Sequence, residues 1–280
     1  MRWTSGRRST NVEDRRGRGT GLAIGGGITT LIALAVALLF GADPRALLEQ
    51  VTTSETSQGE YQASPQEQQL ADFVSVVLGS TEDVWKQLFQ ESGMSYQDPI
   101  LVLFTDQVQS ACGIAGAAVG PFYCSEDHRL YIDLGFYDEL RERFGAPGDF
   151  AQAYVIAHEV GHHVQNLLGT LNEVHNAQQQ ARSEREANAL SVRLELQADY
   201  LAGVWAHYAQ QEGLLEPGDI EEALNAASAI GDDRLQREMQ GRVVPDSFTH
   251  GTSAQRVEWF RRGLQSGDPG GGDTFDAPDL

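Results

Sequence analysis

The apolar positions along the chain begin with one long uncharged segment at residues 21–40. Twenty helical residues span about 30 Å, which is the thickness of a bilayer core. We therefore predict one N-terminal transmembrane helix at residues 21–41. A cleaved signal peptide is the alternative, but the long stretch before the segment and Phe40 at its end favour a retained anchor.

The residues on either side of this segment predict how the chain would lie in a bacterial cell membrane. Residues 42–66 are rich in Thr, Ser, Gln and Glu, and we expect a flexible stalk. Because arginine-rich flanks stay inside, we expect residues 1–20 to form a cytoplasmic tail and the catalytic domain to be extracytoplasmic. The arginines before the segment are Arg2, Arg7, Arg8, Arg15, Arg16 and Arg18.

Beyond residue 66 the pattern predicts an α+β fold, predominantly helical with a small β-sheet, for a domain at 67–265. Strands alternate apolar and polar residues or are continuously apolar, whereas helices repeat every three to four residues. The tail at 266–280 is rich in Gly, Asp and Pro, and we expect it to be disordered. The predicted helices are 67–91, 150–168, 173–211, about 217–231 and 252–264, and the predicted strands are 100–104, 122–124 and 130–134.

Charge excludes one class of function. The chain has 40 acidic and 20 basic residues, a net charge of -20. Nucleic-acid phosphates require clusters of Lys and Arg, so a nucleic-acid partner is not expected.

The chain has two cysteines, Cys112 and Cys124, on either side of a glycine-rich segment. They fit neither a CxxC redox motif nor a four-ligand zinc site. In an oxidising compartment we expect them to form a disulfide; two buried free thiols are the alternative.

The strongest chemical signal is HEVGHH at 158–163. His158 and His162 are four residues apart, so their rings project from one face of a helix, where two neutral imidazoles can bind one Zn²⁺. Glu159 lies beside the first ligand and can reach a water molecule without ligating the metal. His163 is expected to point away from the zinc.

A catalytic zinc needs a third protein ligand and an open position. We assign Glu195, 33 residues beyond His162, because a turn and an antiparallel return helix would bring it back to the motif. Asp199, one turn later, is assigned to a hydrogen bond with a ligand histidine. A solvated helix face is the alternative for this acidic pair, and His175 is a rival ligand in a polar stretch.

Several motifs together resemble the bacterial neutral zinc metallopeptidases. They are HEVGHHVQ, ELQADYLAG, THGTSAQRVEWF at 249–260 and the segment CGIAGAAVGPFYCSEDHRLYIDLGFYDEL at 112–140. The resemblance covers roughly residues 67–265 and extends to the N-terminal anchor. It implies a zincin-like, gluzincin-like arrangement with Zn²⁺ on His158, His162 and Glu195 and with Glu159 as general base.

These residues predict a membrane-anchored peptidase that hydrolyses a protein or peptide substrate. Glu159 would take a proton from water and pass it to the leaving amine. By analogy, the substrate would pair with the strand at 130–134, although an ordinary sheet strand is an equal reading. His250 is a candidate for steadying the oxyanion; a cap or packing residue is the alternative. The alternatives are an envelope assembly factor or chaperone with a structural or latent zinc site, and a hydrolase of another amide.

Overall fold

The computed structural model describes residues 1–17, 61–117, 120–278 and 280, and its fold is α+β. The predicted mostly helical domain with a small sheet is confirmed. The helices are α1 Pro65–Glu91, α2 Phe136–Glu142, α3 Asp149–Leu168, α4 Thr170–Gln180, α5 Glu184–Gln211, α6 Asp219–Ala229, α7 Asp232–Gln240 and α8 Ser253–Ser266. The strands are β1 Val12–Asp14, β2 Ile100–Phe104, β3 Gln107–Ser110, β4 Gly113–Gly116, β5 Phe122–Cys124 and β6 Arg129–Asp133.

The main sheet has the strand order β1-β2-β6-β5. Strands β1, β2 and β6 run parallel, and β5 is antiparallel to β6. Strands β3 and β4 form a separate antiparallel pair. Of the two inner strands, β2 is continuously apolar, which is typical of a strand that is covered on both faces.

Residues 1–17 pack on the folded domain, whereas the sequence predicted a tail that is distinct from it. Strand β1 pairs with β2 through Val12–Leu101 and Asp14–Leu103. Sequence reasoning missed this strand because three residues with two carboxylates carry no strand signal on their own.

Three helices position the site. The apolar helix α3 is almost entirely buried, and it ends where Gly169 adopts a φ of 88°. Helix α5 packs closely on α3, since a Cβ at Gly161 would lie 2.9 Å from the carbonyl oxygen of Ala198. Helix α8 approaches α5 through Gly203 and Gly263, whose added Cβ atoms would overlap the opposite backbone. Small residues therefore bring three helices within reach of one another.

The helix predictions needed correction at three places. The predicted helix 173–211 is divided into α4 and α5, because Ala181 is extended and the Ser183 side chain caps α5 by accepting from the Glu186 N–H. Helices α2 and α7 were not predicted, since both are short and the strongly polar sequence of α7 hides its apolar face. The capping boxes of α1 (Ser64 and Glu67) and of α8 (Thr252 and Gln255) are present.

The C-terminal residues also differ from prediction, because the described part of the tail is packed against α5. The Arg193 guanidinium donates hydrogen bonds to the backbone carbonyls of Thr274, Phe275, Ala277 and Leu280. Thr274 is fully buried. Composition predicted disorder for this segment. It could not reveal the packing, because the partner of these carbonyls is one arginine that lies 81 residues before Thr274.

The transmembrane helix predicted at 21–41, and most of the stalk at 42–66, lie outside the described residues. At the end of the predicted stalk, residues 65 and 66 are already part of α1. Among the described residues, no helix has both the length and the apolar character needed to cross a bilayer.

Candidate metallopeptidase active site

The zinc motif and Glu195 come together between α3 and α5. The Nε2 atom of His158 lies 3.1 Å from one oxygen of the Glu195 carboxylate, and the Nε2 atom of His162 lies 3.5 Å from the other. The ligand atoms of these three residues all lie within 4.8 Å of one another. The chain therefore brings Glu195 back beside the histidines, although helix α4 and not only a turn lies between α3 and α5.

The other nitrogen of His158 faces Asp199. Its Nδ1 atom is 2.9 Å from Oδ1 of Asp199, which is fully buried. A carboxylate in this position favours the proton on Nδ1 and leaves Nε2 free for a metal. The structure thus places Asp199 where the sequence assigned it.

Behind Asp199 lie two residues that sequence reasoning missed. The Tyr154 hydroxyl donates to Oδ1 of Asp199 at 2.5 Å, and Arg256 donates to both carboxylate oxygens. Burial alone would raise the pKa of Asp199, but the opposing effect of Arg256 and His158 is larger and brings the pKa down to about 2. Tyr154 lies one helical turn before His158, so its spacing alone could have placed it on the same face as the zinc motif. Arg256 lies within THGTSAQRVEWF, although nothing in that segment indicates that it would reach α3.

His162 is oriented by a different neighbour. Its Nδ1 atom is 2.8 Å from Oε1 of Gln165, whose amide nitrogen donates to the Leu194 carbonyl and to the Gln197 side chain. This chain of hydrogen bonds connects α3 to α5. Gln165 is fully buried, so the ring orientation of His162 is fixed by packing as well as by the hydrogen bond.

Glu159 is 8 % exposed and lines the same cavity as the metal-binding group. Burial raises the pKa of its carboxyl, with the two motif histidines opposing the shift. A carboxylate with a raised pKa is a better proton acceptor near neutral pH than an ordinary exposed glutamate.

The donor set fits Zn²⁺. Two imidazole nitrogens and one carboxylate are the ligands of a catalytic zinc with one open position. In the metal-free protein, burial lowers the pKa of His158 but Asp199 and Glu195 raise it to about 10. The carboxylates around the two rings therefore create a site that attracts a cation.

His163 and the rival ligand His175 lie away from the metal-binding group. His163 is fully buried on the opposite side of α3, between the Tyr123 hydroxyl and the Gln97 carbonyl, and burial lowers its pKa to about 4. His175 is exposed on α4 and contacts Gln179. Neither belongs to the group that could hold a metal with His158.

The cavity over the site has a volume of about 540 Å³. Its lining includes the metal-binding group and Glu159. Much of the rest is apolar, together with the ion pair of Glu139 and Arg143. The apolar residues include Phe122, Phe136, Phe144, Ile230, Leu235 and Met239.

The strand predicted to bind substrate, 130–134, is not available for pairing, so that prediction is wrong. It corresponds to β6, which is hydrogen-bonded to β2 on one side and to β5 on the other. Within the described part of the chain, β5 pairs on one side only. Phe122 and Tyr123 of β5 line the cavity.

His250 also lines the cavity, with half of its side chain exposed. Its backbone N–H donates to Oδ2 of Asp232 at 2.6 Å, as do the N–H groups of Thr249 and Gly251. Asp232 raises the pKa of the imidazole through a side-chain contact. The loop is thus held in place by a carboxylate that sequence reasoning did not identify.

The predicted disulfide between Cys112 and Cys124 is present, with Cα atoms 5.8 Å apart. Cys124 is the last residue of β5 and is fully buried. The bond therefore ties the strand that borders the cavity to the β3–β4 pair.

A helix bearing HExxH, a glutamate on the return helix and a neighbouring edge strand define the class of zinc metallopeptidases. Residues 1–275 match the model of the family described as "Putative neutral zinc metallopeptidase", and the chain belongs to this family.

Relatives extend across distant bacteria. The chain is 52 % identical to "Uncharacterized protein YpfJ" of Escherichia coli strain K12, covering 98 % of this chain and 99 % of the relative. It is 48 % identical to "Uncharacterized protein Rv2575" of Mycobacterium tuberculosis strain H37Rv, covering 73 % of this chain and 71 % of the relative. No solved structure matches the chain.

Proposed function

We propose that the protein is a zinc-dependent peptidase that hydrolyses peptide bonds with Glu159 as general base. One observation carries this proposal: the buried carboxylate of Glu159 and the group formed by His158, His162 and Glu195 line one accessible cavity. A purely structural zinc site has four protein ligands and no open position. Here three ligands converge, and the remaining side faces space for a substrate.

A bound Zn²⁺ would supply Lewis acidity, which polarises the scissile carbonyl and lowers the pKa of a water molecule. Glu159 then takes the proton from that water and delivers it to the leaving amine. His158 is held by Asp199 and His162 by Gln165, so neither ring must reorient during turnover. His250 is placed at the cavity wall, where its raised pKa favours a cation that can donate to the oxyanion.

Substrate binding in this proposal uses the free side of β5. An extended peptide pairs with an exposed strand through main-chain hydrogen bonds, and pockets for alternate side chains provide specificity. The apolar wall beside β5 would accept a large apolar side chain of the substrate. A protein or peptide is therefore the substrate class that the cavity favours.

The experiment is an assay of the purified full-length protein on an unfolded protein. We expect cleavage that a zinc chelator abolishes and that added Zn²⁺ restores. Glu159→Gln, loaded with zinc to the same stoichiometry, is the matched control and should be inactive. An assembly factor with a structural or latent zinc would leave the substrate intact, and a hydrolase of another amide would cleave cell-wall amides instead. Either result would overturn the proposal.

Membrane attachment through residues 21–41 and an extracytoplasmic catalytic domain stay predictions. The disulfide supports the second, because disulfides persist in oxidising compartments. Fractionation of cells that express the full chain, followed by thiol mapping without reductant, would test both.

A further inference from the structure

Residues 1–17 complete the main sheet of the domain. The Leu101 N–H donates to the Asn11 carbonyl at 2.8 Å, and the Arg15 N–H donates to the Leu103 carbonyl at 2.8 Å. Leu101 and Leu103 are at most 1 % exposed. Strand β1 therefore covers an edge of β2 that would otherwise leave unpaired backbone groups beside the core.

The same segment also satisfies a buried charge in α1. Glu82 is 1 % exposed. Its carboxylate accepts hydrogen bonds from Arg7 at 2.8 Å, from the Ser9 hydroxyl at 2.5 Å and from the Asn11 amide at 2.8 Å. A buried carboxylate is costly without such partners, and breaking a buried pair leaves an uncompensated charge. The folded domain thus depends on contacts with residues 7–11.

Arginines of this segment have acidic partners on the domain. Arg7 pairs with Asp83 at 2.8 Å as well as with Glu82, and Arg8 lies 3.6 Å from Asp72. These pairs give the arginines a role in docking on α1. Their position before an uncharged stretch is therefore not by itself a reason to place them on the opposite side of a membrane from the domain.

The residues on either side of 18–60 lie close together in space. A Cβ on Gly17 would overlap the side chain of Tyr61, and the Arg16 guanidinium lies 5.9 Å from the centre of the Tyr61 ring. Arg16 also donates to the Glu67 carbonyl in the first turn of α1. One crossing of a bilayer would separate the two ends by about 30 Å.

We propose that residues 1–17 and the metallopeptidase domain lie in the same compartment, with strand β1 paired to β2 and residues 7–11 in contact with α1. The apolar stretch at 21–40 then does not place them on opposite sides of a membrane. This inference is independent of the catalytic proposal, because it concerns the sheet and α1 and not the metal site.

Thiol labelling in spheroplasts tests the compartment directly. Thr10→Cys reports on the N-terminal segment and Met94→Cys on the domain, since both positions are exposed. Wild type measures the background from Cys112 and Cys124. With a membrane-impermeant maleimide, we expect both variants to be labelled in intact spheroplasts, or both only after permeabilisation. Labelling of one in intact spheroplasts and of the other only after permeabilisation would overturn the proposal.

A charge exchange tests the contact itself in the full-length protein. Arg7→Glu should lower the unfolding temperature, and adding Asp83→Arg should restore part of the loss. Arg8→Glu is the matched control, because Arg8 makes a longer, exposed contact and Asp83→Arg should not rescue it. An unfolding temperature unchanged by Arg7→Glu would also overturn the proposal.

Discussion

Arg256 donates hydrogen bonds to both carboxylate oxygens of Asp199, at 2.8 and 3.0 Å, in a pair that is almost completely buried behind the His158 ring. The planar guanidinium matches a carboxylate with two parallel bonds. Asp199 can therefore hold His158 without being an uncompensated charge in the core. The pair connects α8, which carries Arg256, to α5, which carries Asp199 and Glu195.

This relationship predicts the effect of removing Arg256. Arg256→Met should destabilise the fold by about 3–5 kcal/mol, because it leaves the Asp199 carboxylate buried without its partner. Zinc affinity should fall about 10–100-fold, since the His158 ring loses its fixed orientation. Denaturant unfolding and zinc titration measure the two effects separately.

Arg256→Lys is the control for charge alone. A lysine restores a positive charge but not the two parallel hydrogen bonds. We expect it to recover most of the stability and less of the zinc affinity. If Arg256→Met bound zinc as tightly as wild type, Arg256 would have no role in positioning His158.

The disulfide is predicted to matter for substrate binding as well as for stability. Cys112→Ser with Cys124→Ser should lower the free energy of unfolding by about 3 kcal/mol, as expected for a loop of this size. The released β5 strand should raise KM more than it lowers kcat. Peptide kinetics with and without reductant provide the measurement. Unchanged kinetics in the double variant would show that the bond does not position β5.

His250 is predicted to produce part of the pH dependence. Asp232 raises the pKa of His250 above its ordinary value of 6.5, so its cation persists to higher pH. Any contribution of this cation is complete below 6.5 and is lost as pH rises through the raised pKa. His250→Gln should lower kcat/KM about a hundredfold and remove that part of the alkaline decline. If His250→Gln had the wild-type value of kcat/KM and the same dependence of kcat/KM on pH, a catalytic role of His250 would be excluded.

The sequence predicted those parts of the site that depend on local spacing. His158 and His162 share a face because of helical periodicity, and the separation of 33 residues between His162 and Glu195 is enough for the chain to return to the motif. Arg256 could not be found in this way. It reaches Asp199 only because Gly203 and Gly263 allow α8 to lie directly on α5, and helix crossings are not encoded in local periodicity.

The errors elsewhere in the fold have a similar cause. The arginines of residues 1–17 were interpreted through the neighbouring apolar stretch, although Arg7 has partners on α1 that are 75 and 76 residues away. Strand β6 was chosen for substrate by analogy. Its central place in the sheet depends on pairing with β2 and β5, which a single strand does not reveal.

Replacing a metal ligand should lower zinc affinity more than replacing the residue that supports a ligand. Glu195→Ala removes a ligand, so both zinc affinity and activity should be lost. Asp199→Asn keeps the shape but weakens the hold on His158, and we expect about a 10–100-fold loss in affinity. Zinc content after dialysis, together with turnover at saturating zinc, distinguishes the two variants. Equal zinc binding by wild type and Glu195→Ala would show that Glu195 is not a ligand.

The last prediction concerns Glu159, which lines the cavity with the three metal-binding residues but is not one of them. Glu159→Gln preserves the size of the side chain and one hydrogen-bonding oxygen, but the amide cannot accept a proton from water. Zinc content and the unfolding temperature should therefore match those of wild type, while turnover falls about a hundred- to ten-thousandfold. Glu159→Asp is the informative control, because it retains the base and shortens its reach; its activity should lie between the two. A Glu159→Gln protein that cleaves at the wild-type rate would exclude Glu159 as the base, since an amide has no basicity with which to take the proton.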